Sequence, residues 1–185
     1  VTSDCLEVCA DRGSVVNGDY LGNGANVIPF NLMPGNLALG YSEAHWLRDV
    51  RNMAAIRPAL VRMWAQIDWM EREKGVYDFD TQEMRALYAY AAALKEIGAE
   101  IQLTFSWKVG PRAQSWYSIP GVPAVNSAPR DVEAYAASCS ALLTHLWSLG
   151  YDNVRHLAIA NEPGGSGDFQ CTGDAKAYFV KTFRA

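Results

Sequence analysis

Short apolar runs alternate with longer amphipathic stretches along this chain. The apolar runs cover residues 24–30, 59–64, 101–107 and 154–160, and runs of this length are typical of buried parallel strands. Between and after them, apolar residues recur at helical spacing, and Asp174 is placed to open a last helix. Strands that alternate with helices predict an α/β fold, with a parallel sheet and helices outside it.

The predicted helices have start and stop signals as well as apolar faces. Ser42 is a candidate N-cap for a helix that runs to about Ile56, and residues 80–83 (Asp-Thr-Gln-Glu) have the form of a capping box for the next, which ends at Gly98. A third helix starts near residue 129 and stops at Gly150. The residues expected to face inward are Trp46, Leu47, Val50, Met53 and Ala54 in the first helix, Met84, Leu87, Tyr88, Ala91 and Leu94 in the second, and Val132, Tyr135, Ala136, Cys139, Leu142, Leu143 and Leu146 in the third.

Two helix-to-strand joints resemble each other, which indicates one βα unit used again. Residues 94–98 read Leu-Lys-Glu-Ile-Gly before the third strand, and residues 146–150 read Leu-Trp-Ser-Leu-Gly before the fourth. About four such units fill the 185 residues, whereas a full (β/α)₈ barrel needs eight. Four strands cannot close a barrel, so we interpret the chain as a TIM-barrel type α/β domain that covers strands 1–4 and helices 1–4.

This interpretation makes residues 1–185 one domain, the N-terminal half of a barrel, with residues 1–20 as an N-terminal extension. We expect a C-terminal half-barrel segment as its partner. A complete small open α/β domain is the alternative.

Composition removes several function classes. Half of the residues are hydrophobic and the net charge is −4, so there is no basic footprint for nucleic acid. No apolar stretch is long enough to predict a membrane span, and the start at Val1 leads us to expect a mature or excised product. Four cysteines fit disulfides in an oxidising compartment, and they fit free buried thiols as well: Cys5, Cys9, Cys139 and Cys171.

Glu162 is the first candidate for chemistry. It follows the fourth apolar run directly, and a carboxylate at the C-terminal mouth of a strand lies where α/β barrels keep their active sites. Asn161 beside it can donate a hydrogen bond to a substrate hydroxyl. Pro163 fixes the backbone after the strand, and the glycines at 164, 165 and 167 leave room for a bulky ligand. A solvated loop carboxylate is the alternative.

Arg62 lies inside the second predicted strand and needs a partner, because a bare buried charge is costly. It could form a structural ion pair, or it could hold and ionise a catalytic carboxylate in the barrel mouth.

Aromatic residues cluster after the second and third strands, where they could pack in the core or offer platforms for sugar rings. They are Trp64, Trp69, Trp107, Trp116 and Tyr117. Of these we take Trp64 and Trp107 as substrate-binding candidates, and we add Asn26 of the first strand.

Other chemistries find little support. The sequence has no Gly-x-Ser-x-Gly elbow and no phosphate-binding loop, and its cysteines and histidines lack zinc spacing. We therefore expect no cofactor and no metal. The three histidines, His45, His145 and His156, are scattered, and structural roles are the better interpretation.

Four segments together resemble retaining (β/α)₈ glycoside hydrolases of clan A, and among them family 39, which includes β-xylosidases and α-L-iduronidases. Residues 61–64 (Val-Arg-Met-Trp) resemble that family's second strand with its arginine. Residues 69–79 resemble its W…E…G-x-Y-D-F segment, and residues 101–107 its third strand. Asn161, Glu162 and Pro163 match the Asn-Glu-Pro signature that ends strand four. Ala160 stands where many relatives carry a large aromatic residue.

The resemblance implies an oligo- or polysaccharide substrate and a role for each matched residue. Glu162 would be the general acid/base, Asn161 would bind the sugar 2-hydroxyl, and Arg62 would orient and ionise the nucleophile. In this clan the nucleophile is a glutamate at the end of strand seven, beyond the four strands present here. The carboxylates of Asp68, Glu71, Glu73 and Asp168 follow strands in this chain, but nothing in the sequence aims one of them at Glu162.

Two further interpretations stay open beside a glycosidase that needs strands five to eight. The chain could be a non-catalytic carbohydrate-binding half-barrel, or a truncated fragment inactive by itself. For a polysaccharide-degrading enzyme with four cysteines, we expect a secreted or periplasmic location.

Overall fold

The computed structural model describes residues 13, 18–105, 116–122, 127–161 and 170–185. Four strands alternate with helices along this part of the chain. The strands are β1 (Gly24–Val27), β2 (Leu60–Ala65), β3 (Glu100–Phe105) and β4 (Val154–Ala158). The helices are α1 (Pro34–Ala38), α2 (Glu43–Ile56), α3 (Gln82–Glu96), α4 (Val132–Ser148) and α5 (Ala175–Arg184), and short 3₁₀ turns cover Pro29–Leu32 and Ile67–Trp69.

The strands form one parallel sheet in the order β1-β2-β3-β4. Asn26 pairs with Arg62, and Arg62 pairs with Gln102, so the strand positions are aligned across the sheet. Neighbouring parallel strands that follow one another in the chain need a crossover connection. Helices α2, α3 and α4 lie in those connections. The expected α/β class and its four βα units are therefore confirmed.

The two faces of the sheet differ in character because side chains alternate along each strand. On one face the side chains of β2 and β3 are apolar and fully buried, and they form the core with α3 and α4: Val61, Met63, Ala65, Ile101, Leu103 and Phe105. The opposite face carries Arg62, Trp64, Gln102 and Thr104. This second face is the one that a closed barrel would turn inward.

The two similar helix-to-strand joints adopt the same geometry. Gly98 and Gly150 have φ of 78° and 85°, the left-handed region that glycine adopts without strain. The residue after each glycine then donates its N–H to a carbonyl five residues back, Ala99 to Leu94 (2.9 Å) and Tyr151 to Leu146 (3.0 Å). The repeated βα unit read from the sequence is confirmed.

Three local predictions were wrong in detail. The first strand ends at Val27 instead of residue 30, because Pro29 lacks the N–H that a strand would use and a 3₁₀ turn follows. The N-cap of α3 is Thr81, whose hydroxyl accepts from Met84 N, so residues 80–83 do not form the expected box. Leu47 is 50% exposed and does not face inward.

The N-caps predicted for α2 and α5 are confirmed, and so are most of the residues expected to face inward on α3 and α4. Ser42 caps α2 in a capping box with His45, and Asp174 caps α5 with its carboxylate on Ala177 N. Nearly all the residues expected to face inward on α3 and α4 are buried, with Tyr88, Ala136 and Leu143 partly exposed. Within the described part, no helix is both long and apolar enough to cross a membrane.

Candidate active site

Arg62 is the centre of the polar face. From β2 its guanidinium reaches across the sheet, where Nε donates to Thr104 Oγ1 of β3 at 3.0 Å and Nη2 donates to Asn161 Oδ1 at 2.7 Å. Its Cζ also lies 4.3 Å from the centroid of the Trp64 ring, within the range of a cation–π contact. One arginine thus joins three strands near their C-terminal ends.

The partners of Arg62 among the described residues are all neutral. Among the described residues no carboxylate forms an ion pair with it, although six other ion pairs are present there. A guanidinium has five N–H donors, and two of them are used by Thr104 and Asn161. The structural ion pair considered for Arg62 is therefore not found in this part of the chain. Within the described residues, the site has a half-buried positive charge, and the other N–H groups of Arg62 bond none of these residues.

Asn161 is held in one orientation by Arg62. Its Oδ1 accepts the arginine hydrogen bond, so the amide NH₂ group must point the other way. The backbone just before it is fixed as well, since the Tyr135 hydroxyl donates to the Ile159 carbonyl at 3.1 Å. Asn161 therefore presents a donor from an anchored strand end.

Trp64 and Asn26 lie together on the same face. Trp64 Nε1 donates to Asn26 Oδ1 at 2.9 Å, which joins β2 to β1. Because the guanidinium of Arg62 covers one face of the indole, only the other face could receive a sugar ring. The structure brings Asn26, Arg62, Trp64 and Asn161 into one contiguous set. Glu162 and Trp107 lie outside the described residues, as does Asp168.

Two of the other aromatic residues pack inside the protein. Trp69 is 4% exposed with its ring edge-on to Phe30, and Tyr117 is fully buried against Trp116 and Tyr135. Burial, together with the charge on Asp68, raises the pKa of Tyr117 well above its ordinary value, so this hydroxyl stays protonated. Trp69 and Tyr117 are core residues and not platforms for sugars.

Sequence reasoning missed Thr104, and it named Glu71 only as a carboxylate after a strand, without its buried contacts. Thr104 is fully buried in β3 and anchors Arg62, although a threonine in a strand carries no signal of such a role. Glu71 is a buried carboxylate that accepts hydrogen bonds from Gly75 N at 2.6 Å and from the Ser138 hydroxyl. Because both oxygens of Glu71 are bonded inside the protein, it is not available as a nucleophile.

The histidines have structural partners, as expected. His45 belongs to the N-terminal capping box of α2, and His156 pairs with Glu100 at 2.8 Å. His145 stacks on Phe79 at 3.9 Å, with its Nε2 2.9 Å from the Tyr88 hydroxyl. Cys139 and Cys171 are free thiols, and the other two cysteines lie outside the described residues.

Solved structures of glycoside hydrolases share this fold. The chain superposes on an exo-beta-1,4-mannosidase from Opitutaceae bacterium strain TAV5 with a TM-score of 0.56 and 22% identity, over 80% of this chain and 26% of that one. A GH5_18 protein from Bifidobacterium longum subsp. longum, solved in complex with Manb1-4GlcNAc, gives a TM-score of 0.53 at 9% identity, over 87% and 39%. A family 39 glycoside hydrolase from the gut symbiont Bacteroides cellulosilyticus gives 0.46 at 19%, over 74% and 24%.

No protein-family profile and no curated protein sequence matches the chain. The likeness to the first two structures above shows the fold, which is that of the N-terminal half of a TIM-barrel glycoside hydrolase. The chain spans about a quarter to two-fifths of the length of these proteins. The expected fold class and the resemblance to glycoside hydrolases are confirmed at this level.

Proposed function

We propose that this chain carries the acid/base half of a retaining glycoside hydrolase active site. Glu162 gives its carboxyl proton to the glycosidic oxygen as the bond to the leaving group breaks, and a nucleophilic carboxylate forms the glycosyl-enzyme bond. Glu162 then takes a proton from the water that breaks that bond. The substrate is an oligo- or polysaccharide.

The observation that carries this proposal is the guanidinium of Arg62, whose partners in the described part of the chain are all neutral. Taking a charge out of water costs several kcal/mol, and neutral hydrogen bonds offset only part of that cost. A carboxylate placed against the free N–H groups of Arg62 would gain from the pairing and would stay ionised at neutral pH. An ionised carboxylate is what the nucleophile of a retaining glycosidase must be.

That nucleophile would come from a polypeptide segment that supplies strands five to eight. Two features support such a segment. In the described part β4 pairs with β3 alone, so its other edge is open. Beside that edge lies an apolar groove of about 270 Å³ between α4, β4 and α5, of the kind that a further βα unit would fill. A secreted or periplasmic location belongs to the proposal, with polysaccharide chemistry as its support.

Asn161 would recognise the 2-hydroxyl of the sugar at the reaction centre. Its amide NH₂ is turned away from Arg62 and offers a donor, and a hydroxyl oxygen can accept it. Hydrogen bonds to this hydroxyl strengthen in the transition state of glycoside hydrolysis. A 2-deoxy substrate would therefore lose turnover more than binding.

The test is hydrolysis of aryl glycosides by a polypeptide that contains this chain together with strands five to eight. Glu162→Gln should lower kcat/KM by about 100- to 10,000-fold, the usual contribution of a general acid/base. Glu133→Gln on the exposed side of α4 is the matched control and should change nothing. Wild-type turnover in Glu162→Gln would remove Glu162 from the chemistry. Binding of oligosaccharide without any turnover by the wild type would favour a non-catalytic carbohydrate-binding protein instead.

A further inference from the structure

Glu71 is the one acidic or basic residue among the buried side chains of the described part. It lies in the loop between β2 and α3 and is 1% exposed. A buried carboxylate is costly unless its oxygens are bonded. Here Oε1 accepts from Gly75 N at 2.6 Å and Oε2 accepts from the Ser138 hydroxyl, and no ion pair in the described residues includes Glu71. Each oxygen of the Glu71 carboxylate thus accepts a hydrogen bond from a neutral donor, which offsets part of the cost of burying it.

Three parts of the chain meet at Glu71. The side chain of Glu71 binds Ser138 of α4, and the backbone carbonyl oxygen of Glu71 accepts from Trp116 Nε1 at 3.0 Å. Trp116 belongs to the connection between β3 and α4. A second contact joins the same two parts of the chain. Lys74, in the same loop as Glu71, pairs with Asp131, the N-cap of α4, at 2.6 Å. The loop after β2 is thus fastened to α4 and to the segment that precedes it.

Helix α4 contacts both Glu71 and the segment that follows β4. Tyr135 lies three residues before Ser138 on the same helix, and residues at that spacing share a face. The Tyr135 hydroxyl donates to the carbonyl of Ile159 at 3.1 Å, and Asn161 follows two residues later. A shift of α4 relative to the sheet would therefore move the strand end that presents Asn161 to Arg62.

We propose that Glu71 is a positioning residue for Asn161, acting through Ser138, α4 and Tyr135. This inference rests on the proposed function, since it assigns Glu71 a part in setting the geometry of that same site. The Ser138 hydroxyl also lies within hydrogen-bond distance of the Ala134 carbonyl, at 2.9 Å, and a hydroxyl can accept as well as donate. A glutamine could therefore keep both contacts, whereas Glu71→Ala removes both acceptors.

The test follows the side-chain NH₂ signals of Asn161 by NMR in the ¹⁵N-labelled 185-residue chain, assigned by their loss in Asn161→Asp. Glu71→Ala and Ser138→Ala should shift these signals, because a change in the Arg62–Asn161 hydrogen bond alters the surroundings of the amide group. Ser140→Ala, an exposed serine on the same helix, is the matched control and should leave them in place.

Tyr135→Phe separates positioning from general stability. It keeps both bonds of Glu71 but removes the link to Ile159, so it should change the Asn161 signals in the same direction. If Glu71→Ala fails to fold, Ser138→Ala and Tyr135→Phe still decide the question. Folded variants with unchanged Asn161 signals would overturn the assignment.

A kinetic readout links the inference to catalysis. In the longer polypeptide, Ser138→Ala should lower kcat about tenfold with KM nearly unchanged, because a displaced Asn161 weakens a hydrogen bond that strengthens in the transition state. An equal change in kcat and KM would contradict positioning. If the wild type hydrolyses no glycoside, the proposed function fails while the NMR result still stands or falls by itself.

Discussion

At the scale of single residues, Arg62 connects Thr104, Asn161 and Trp64. A hydrogen bond that involves a charged group contributes about 1.5–3 kcal/mol, and a cation–π contact about 0.5–2 kcal/mol. Thr104, Asn161 and Trp64 therefore hold the guanidinium in one position, but as neutral groups they offset only part of the cost of burying its charge. The same three contacts fix its direction, so an incoming anion meets a preorganised donor.

Arg62→Lys should separate this geometry from simple charge. A lysine keeps the positive charge, but it cannot bond Thr104 and Asn161 with a planar fork while covering the Trp64 ring. We expect kcat/KM of the longer polypeptide to fall about 100-fold, the loss that misplacement of a site by about 1 Å produces. Steady-state kinetics on an aryl glycoside measure it. Arg85→Lys, in an exposed pair with Asp80, is the control, and equal effects of the two changes would contradict the role given to Arg62.

The sequence could indicate that Arg62 needs a partner, but not which one. A charge flanked by Val61 and Met63 in an apolar run requires compensation, and that follows from local pattern alone. Its actual partners, Thr104 and Asn161, lie 42 and 99 residues away. The Glu71–Ser138 bond likewise spans 67 residues, and a serine on a helix gives no sign of it. Contacts of this kind depend on the packed fold, which a single sequence does not show.

At the scale of elements, caps depend on tertiary contacts as well as on local pattern. The positions of strands and helices followed from periodicity, and glycines marked the ends of α3 and α4 correctly. The N-cap of α3 was misplaced by one residue because Thr81 makes a second bond, from its hydroxyl to the Trp69 carbonyl at 2.6 Å. Asp80, the residue expected to cap, forms an exposed ion pair with Arg85 instead.

Thr81→Ala should therefore destabilise the chain by about 1–2 kcal/mol, because it removes both a cap and a buried hydrogen bond. Asp80→Ala, by contrast, should change stability by less than about 0.5 kcal/mol, since its pair with Arg85 is exposed. Urea unfolding followed by circular dichroism measures both. A larger effect at Asp80 than at Thr81 would show that the cap was assigned to the wrong residue.

His145 couples α4 to α3 and should make stability depend on pH. Burial lowers the pKa of His145 below its ordinary value. At a pH between the lowered pKa of His145 in the folded chain and its ordinary pKa in the unfolded chain, the unfolded chain binds a proton that the folded chain does not. The free energy of unfolding therefore falls as pH drops below about 6.5, and it levels off below the folded pKa. NMR titration of the ring and unfolding at pH 7 and pH 5 measure it. His145→Phe should flatten this dependence, and a titration midpoint above 6.5 in the wild type would contradict it.

At the scale of the whole molecule, four parallel strands make an open sheet. A closed (β/α)₈ barrel needs eight, so in the described part β1 and β4 each pair on one side only. The groove beside β4 is lined by apolar side chains, among them Leu157, Trp147 and Phe183, and the last two are 54% and 72% exposed. Edges of this kind promote association unless another element covers them.

The 185-residue chain by itself should therefore self-associate as its concentration rises. Phe183→Asp should reduce this association by placing a charge in the groove beside β4. Leu39→Asp, at an exposed position in the connection between β1 and β2, should have little effect. Size-exclusion chromatography with light scattering measures the mass. A chain that stays monomeric at every concentration would show that the groove needs no partner.

The most direct measurement of the role of Glu162 is azide rescue in the longer polypeptide. Glu162→Gln should hydrolyse an activated aryl glycoside slowly, because a good leaving group needs no proton but the second step still lacks its base. Azide needs no base to attack the glycosyl-enzyme, so it should restore turnover and give a glycosyl azide with the anomeric configuration of the substrate. No acceleration by azide, or an azide product of inverted configuration, would contradict Glu162 as the acid/base of a retaining glycosidase.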